Sequence, residues 1–258
     1  SVFGSGFTTN IAADVMFPGS QIYNDSVTIT GDRTISVTSG DIQFGNNASQ
    51  TFNGDGAFGD DSVNVTTADG NVVFFGSVGN NDPLESMNIT VTGGTSGGST
   101  GNVNFNGAVT VDGDLTITAP GRVTFGADLI INDGGSLTVN GASLVVVDGL
   151  VIANGGGDIL LEGDEINLTG GEESISGSGS ITFRPATVST GIEIGSPPGS
   201  NTSFLNMTAN EMGALSDGFS EIIFGHLDGL HAQAGTGAIR IGVVRDDFSN
   251  SFFDPVSF

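Results

Sequence analysis

Between Val103 and Phe183 the chain alternates apolar and polar positions in short bursts. Val103-Asn104-Phe105, Val109-Thr110-Val111, Leu115-Thr116-Ile117, Val123-Thr124-Phe125, Leu129-Ile130-Ile131 and Leu137-Thr138-Val139 begin the series. Leu144-Val145-Val146, Leu150-Val151-Ile152, Ile159-Leu160-Leu161, Ile166-Asn167-Leu168, Ile175 and Ile181-Thr182-Phe183 continue it. An apolar–x–apolar triplet is a minimal strand with alternate side chains on one face. Gly, Asn and Asp separate the triplets, as in Asn132-Asp133-Gly134-Gly135, and these residues tolerate the left-handed backbone of a sharp corner. Arms this short bury too little to stand as hairpins. The spacing offers another partner: Val103 to Val123 and Val109 to Leu129 are 20 residues, and Leu115 to Leu137 and Leu137 to Ile159 are 22. Pairing each strand with the one three triplets later gives three short strands and three corners per coil. The predicted fold is an all-β, right-handed parallel β-solenoid. Leu129, Leu150 and Ile166 then face inward, and Thr116, Thr124, Thr138, Asn167 and Thr182 face water.

The whole chain, 1–258, reads as one solenoid domain. Residues 1–100 form irregular coils with longer loops, 101–195 regular coils, and 196–258 looser terminal coils. Residues 1–25 show no strand pattern, only the apolar anchors Phe3, Phe7, Val15, Met16 and Phe17. Strands follow at 27–29, 35–37, 42–44, 63–65, 72–75 and 89–91, with long corners over 45–57 and 76–86. The Gly/Ser/Thr run 93–101 is read as a loop leaving one corner. Beyond Phe183, strands are expected at 192–194, 204–207, 222–224 and 239–241. One short helix is expected from Thr208 to Ser216. Thr208 and Glu211 have capping-box spacing, and Met212 and Leu215 supply the apolar face.

Composition sharpens this picture. Gly is 43 of 258 residues, too many for a helical bundle, and no apolar run is long enough for a transmembrane helix. The 29 acidic residues face five arginines (Arg33, Arg122, Arg184, Arg240, Arg245) and no lysine, for a net charge of −24. Such a surface repels nucleic acid and anionic membranes. The absence of cysteine closes the disulfide, zinc-cluster and thiol-nucleophile classes. The chain starts at Ser1 without a basic-then-apolar leader, which predicts a processed protein or one segment of a longer one.

Candidate chemistry is sparse. The acidic pairs Asp164-Glu165 and Glu172-Glu173 are candidate ligands for Ca2+, a cation the fold does not require; none lies in an EF-hand loop. Gly59-Asp60-Asp61-Ser62-Val63 is similar to the paired-aspartate motif of polygalacturonases, with His226 and Arg240-Ile241 in the family's order. That motif needs its acids and histidine about one coil apart. Asp61 and His226 are about eight coils apart, nearly ~40 Å at ~4.8 Å per coil, and the family's lysine is missing. Asp60-Asp61 is therefore read as an exposed corner and the protein as a non-enzyme. Thr-x-Thr pairs such as Thr28/Thr30 and Thr116/Thr118 do not recur once per coil, so no ice-binding array forms. His226 and His231 read as loop polars.

The segment Leu205-Asn206-Met207-Thr208 through Leu215-Ser216-Asp217-Gly218-Phe219, the strand Glu221-Ile222-Ile223-Phe224-Gly225 and the preceding ladder resemble tandem units of giant bacterial surface proteins. These are the filamentous-haemagglutinin-like and large-adhesin solenoids, which carry a Leu-x-x-Thr-x-x-x-x-x-x-Leu-x-x-Gly-Phe segment and an acidic-Pro-Val tail like Asp254-Pro255-Val256. The likeness runs from about Val103 onward, and the secretion domain of the haemagglutinin-like exoproteins has no counterpart here. The resemblance implies a secreted or surface-attached fibrous protein with no chemistry of its own. Edge physics points the same way. A solenoid's end coils expose unpaired backbone groups, and tail-on-head stacking would pair them and propagate. The expected assembly residues are Val2, Phe3 and Phe7 at the head and Phe252, Phe253, Val256 and Phe258 at the tail. The expected partner is the protein itself, with surface glycans as a second candidate. The alternative function is a secreted carbohydrate-binding or polysaccharide-cleaving β-helix protein.

Overall fold

The computed structural model describes residues 7–56, 61–93, 101–195, 204–225, 239–241 and 254–257. The early strands are β1 (Thr8–Ile11), β2 (Val15–Phe17), β3 (Gln21–Tyr23), β4 (Ser26–Ile29), β5 (Arg33–Val37) and β6 (Ile42–Phe44). β7 (Phe52–Asn53), β8 (Ser62–Thr67), β9 (Val72–Phe74) and β10 (Ser86–Val91) follow. The regular coils contain β11 (Val103–Phe105), β12 (Val109–Val111), β13 (Leu115–Thr118), β14 (Arg122–Phe125), β15 (Leu129–Ile131) and β16 (Leu137–Ala142). They continue through β17 (Leu144–Val147), β18 (Val151–Ala153), β19 (Ile159–Gly163), β20 (Ile166–Leu168), β21 (Ile175–Gly177) and β22 (Ser180–Arg184). Last come β23 (Gly191–Ile194), β24 (Phe204–Met207), the single-turn helix α1 (Ala209–Met212), β25 (Glu221–Phe224), β26 (Ile239–Ile241) and β27 (Val256–Ser257).

These strands build a parallel β-solenoid with three walls. Wall I is a ten-stranded sheet, β2-β5-β8-β10-β13-β16-β19-β22-β25-β27. Wall II runs β3-β6-β9-β11-β14-β17-β20. Wall III contains β1-β4-β7 and β12-β15-β18-β21, joined through the bridges Phe52–Val78 and Val78–Val109. The chain visits the walls in the order III, I, II. The registers Val103↔Val123, Val109↔Leu129, Leu115↔Leu137 and Leu137↔Ile159 are those the spacing predicts.

Inward positions of successive coils stack into ladders with almost no exposure. Wall II carries an aromatic one: Tyr23, Phe44, Phe74, Phe105 and Phe125 lie ring on ring at 5.3, 4.7, 4.8 and 5.4 Å. Aromatic rings favour such offset stacks, and each adds about 0.5–1.5 kcal/mol beyond its burial.

The corners stack as closely as the walls. Between walls III and I, Gly113, Gly135, Gly157 and Gly179 lie one above another; a β-carbon on Gly135 would sit 2.2 Å from the Gly113 carbonyl oxygen. The adjoining Asp114, Ser136, Asp158 and Ser180 tie the coils together. The side-chain oxygens of Asp114, Ser136 and Asp158 each accept the backbone N–H of the next rung, at 2.9, 3.2 and 2.7 Å. Between walls I and II, Asp41, Asn71 and Asn102 do the same for Asn71, Asn102 and Arg122 at 2.8, 3.0 and 2.7 Å. Much of the glycine and part of the negative charge therefore serves coil stacking.

Four expectations change. Residues 8–23 are not irregular: they form the strands of a first coil, and Met16 is 77% exposed rather than an anchor. The long corner over 45–57 contains β7, a strand of wall III. Leu150 does not face inward. It is 43% exposed, while Val151 and Ala153 fill the core. Leu144 is likewise displaced by Val145 and Val147. Both runs hold four consecutive apolar residues, so alternation leaves their phase open. Stacking on Val123 and Leu129 selects Val145 and Val151. The helix occupies Ala209–Met212 only; its capping box is present, with the Glu211 N–H on the Thr208 hydroxyl at 3.3 Å.

The loosest part of the pattern holds a strand out of order. After β22, two strands follow that belong to the wall II side. The first, β23, pairs on one edge with β24 and on the other with β26. β24 lies against β20. The order up this side is therefore β20, β24, β23, β26: β23 sits one layer ahead of the strand that follows it in the chain.

Candidate assembly surface

At the head, wall I begins with β2. Val15 and Phe17 pair with Ile35 and Val37 and share their inward phase, yet Phe17 is 50% exposed while Val37 is buried. Phe7 adjoins β1 in the phase of Thr9 and Ile11, which pair with Val27 and Ile29; it is 72% exposed. Met16 and Ile22, on the outer face of the same coil, are also exposed. The first coil thus presents core-phase rings and the edges of β1, β2 and β3, free among the described residues, on one face.

At the tail, Asp254 turns the chain back onto its own unit. Its carboxylate accepts the N–H groups of Gly218 and Phe219 at 3.2 Å, and the Pro255 carbonyl accepts the Ile222 N–H at 2.8 Å. Val256 pairs with Ile222 and Ser257 with Ile223, so β27 is the last strand of wall I and its far edge is free among the described residues. Ile239 of β26 is exposed on the wall II side. Of the seven expected assembly residues, Phe7 is exposed at the head and Val256 is half-buried at the tail. Val2, Phe3, Phe252, Phe253 and Phe258 lie outside the described residues. Met16, Phe17, Ile22 and Ile239 were not among those expected. For Met16 and Phe17 the signal in the sequence was Val15-Met16-Phe17, a triplet like all the others.

The four acidic candidates for Ca2+ divide between two corners. Asp164 and Glu165 lie between β19 and β20, and Glu172 and Glu173 between β20 and β21. Both oxygens of Asp164 are engaged, accepting the Thr187 N–H and hydroxyl at 2.7 Å each. Glu172 and Glu173 are exposed. Among the described residues, no three of His, Asp and Glu gather to hold a metal ion.

Asp61 corrects another expectation. It is buried, 3% exposed, rather than at an exposed corner. Its carboxylate accepts the N–H of Gly31 at 2.7 Å and of Asp55 at 2.6 Å, which ties the 54–56 turn to the coil below. Burial raises its pKa. Asp60 and His226 lie outside the described residues. Asp25, between β3 and β4, is buried, and both its carboxylate oxygens are without a hydrogen-bond partner among the described residues.

A buried Glu211 and a half-buried Glu165 lie within electrostatic reach of each other. Glu211, on α1, accepts the N–H and hydroxyl of Thr208 at 2.7 and 2.8 Å and also bonds the Leu168 backbone on β20. Burial raises its pKa. Glu165 is raised too, first by burial and then by the Glu211 charge. A raised carboxyl keeps its proton in the folded state over a window where the unfolded chain has lost it. Stability therefore falls as pH rises through that window, and at neutral pH the Glu165 charge is a net cost. Glu165→Gln is expected to raise the melting temperature at neutral pH. The gain should shrink at mildly acidic pH, as thermal melts across a pH series will show.

No helix among the described residues is long and apolar enough to cross a membrane. Comparison with protein-family models, with curated proteins and with solved structures finds no match to this chain.

Proposed function

We propose that this protein is a structural unit of an extracellular fibre or giant adhesin, joined to its neighbours end to end through the two ends of the solenoid. The observation that carries this reading is the half-exposed Phe17 in a core-phase position on β2, whose outer edge is free among the described residues, as is that of β27 at the opposite end of the same parallel sheet. A sheet edge offers a row of N–H and C=O groups that an added strand pairs. A contact between two different ends does not close on itself, so it propagates. The acidic outer surface suits an exported, solvated fibre and disfavours side-to-side association.

Sedimentation velocity and electron microscopy over a concentration series test the proposal. Filaments one solenoid wide are expected, lengthening with concentration. A chain ending at residue 253 lacks β27 and is expected to stay monomeric with its main thermal transition retained. A full chain that remains monomeric at every concentration, or a shortened chain that polymerises equally well, would overturn the reading.

A further inference from the structure

The chain contains four Asn-Gly pairs, at 53–54, 106–107, 140–141 and 154–155. In such a pair the asparagine side chain is open to attack by the following backbone nitrogen, because glycine puts no side chain in the way. Three of the four are held by hydrogen bonds. The fourth is not, and we infer that Asn106-Gly107 is a site of spontaneous deamidation, which converts this corner to aspartate and isoaspartate.

The reaction runs within the chain and needs only water. The Gly107 nitrogen loses its proton to water and bonds to Cγ of Asn106. The bond from Cγ to Nδ2 breaks, and the amide leaves as ammonia. A five-membered succinimide ring remains, and a second water opens it. If the new bond between Cγ and the Gly107 nitrogen breaks, the residue becomes an ordinary aspartate. If the original peptide bond breaks, the main chain runs through Cγ and the residue is isoaspartate. No electrons are transferred in either branch.

Hydrogen bonding grades the four sites. Asn53 is buried, its amide donates to the Thr51 hydroxyl at 3.0 Å, and the Gly54 N–H donates to the Asp82 carbonyl at 2.9 Å. Asn140 lies within β16, and the Gly141 N–H donates to the Glu162 carboxylate at 3.0 Å. The Asn154 amide donates to the Asn132 side-chain oxygen at 3.0 Å. Asn106 is exposed at the corner between β11 and β12. Its backbone N–H donates to the Phe74 carbonyl, but neither its amide nor the Gly107 N–H has a hydrogen-bond partner among the described residues. The coil above supplies none. Gly126, whose N–H donates to the Phe105 carbonyl at 2.8 Å, stands over Asn106 and has no side chain. Attack at 53, 140 or 154 must first break a hydrogen bond, and attack at 106 does not. One such bond corresponds to about fivefold in rate.

The packing of the corner separates the two products. Gly107 lies against the coil below, where a β-carbon would sit 2.5 Å from the Gly76 carbonyl carbon. Aspartate keeps the length of the main chain, and its carboxylate stands in water. Isoaspartate adds a carbon to the main chain where the backbones of two coils already touch. It must push the coils apart or distort the ends of β11 and β12.

Incubating the folded full chain in neutral buffer, with peptide mapping by mass spectrometry at intervals, tests the assignment. Asn106 is expected to convert first, at least about fivefold ahead of the other three. In the urea-unfolded chain the four are expected to convert at comparable rates. A folded chain in which Asn53, Asn140 or Asn154 converts as fast, or in which Asn106 stays intact while the unfolded chain converts, overturns the inference. Asn132→Ala removes the acceptor of the Asn154 amide. It is expected to speed conversion at 154 about fivefold and leave 106 unchanged. An unchanged rate at 154 in a variant that melts like the parent chain would overturn hydrogen bonding as the cause of the order. Asn106→Asp is expected to melt with the parent chain, and the isoaspartate fraction of the aged chain to melt lower. An isoaspartate fraction that melts with the parent overturns the separation of the products by packing.

Discussion

Leu129→Asp is expected to unfold the protein under conditions in which Leu150→Asp leaves it folded. The two leucines open equivalent triplets in successive coils, and by alternation alone they are interchangeable. In the structure Leu129 is fully buried, paired with Val109 below and Val151 above. Leu150 lies one residue outside that ladder, and its backbone N–H donates to the Asp128 carboxylate at 3.0 Å. An aspartate at 129 would place an unpaired charge inside a three-walled apolar core, which costs more than about 4 kcal/mol. An aspartate at 150 meets water and is expected to cost less than about 1 kcal/mol. Urea melts of the two variants beside the parent chain check this. Equal shifts in midpoint would mean that the phase of β18 is wrong.

Gly157→Ala is the second large effect, and it probes the corners. Gly157 has φ −64° and ψ 150°, a backbone that alanine adopts freely, so conformational strain is not at issue. The obstacle is the coil below. A β-carbon at 157 would lie 1.7 Å from the carbonyl oxygen of Gly135. Backbone cannot swing aside as a flexible side chain does, and parting the coils would break strand pairings on both adjoining walls. The expected cost is about 3 kcal/mol or more. Gly19→Ala is the matched control: nothing lies within 4 Å of its β-carbon, and the substitution is expected to be neutral or slightly stabilising, within about 1 kcal/mol. If both variants melt together, corner stacking is not what demands glycine.

The distinction between these pairs marks how far the sequence could be read. The period of 20 to 22 residues was legible because parallel in-register stacking makes every inward residue meet its counterpart one coil away. Apolar positions recur with the coil. The capping box at Thr208 and Glu211 was legible for a similar reason, since both hydrogen bonds lie within one turn. The first coil was missed although Val15-Met16-Phe17 carries the strand pattern, because its apolar residues look like anchors unless a neighbouring strand is already in place. Asp61 was misplaced because its burial depends on two N–H groups, Gly31 a coil away and Asp55 across a turn, that no local pattern predicts. The candidate assembly surface was half legible. The tail residue Val256 and the head residue Phe7 were recognisable as apolar and terminal, while the exposure of Phe17 and Ile239 follows only from which strands lie beside them.

By itself, the sequence determined the class of fold, the coil period and the three-strand coil, since each rests on side-chain alternation and on the spacing of corner glycines along the chain. The tertiary structure decided the phase of runs with four apolar residues, the burial of Asp61 and the order of strands at the tail. That last case shows the physical reason most directly. Ile192-Glu193-Ile194 and Leu205-Asn206-Met207 read as the same apolar–polar–apolar triplet, and by that pattern either could lie next to β20. Local alternation is satisfied both ways. The order β24, β23, β26 is set by contacts made from outside these strands, among them the seating of α1 through Glu211 on Leu168, which ties the helix directly after β24 to β20. Pairing between equivalent edges is a non-local choice, made only when the whole coil is assembled.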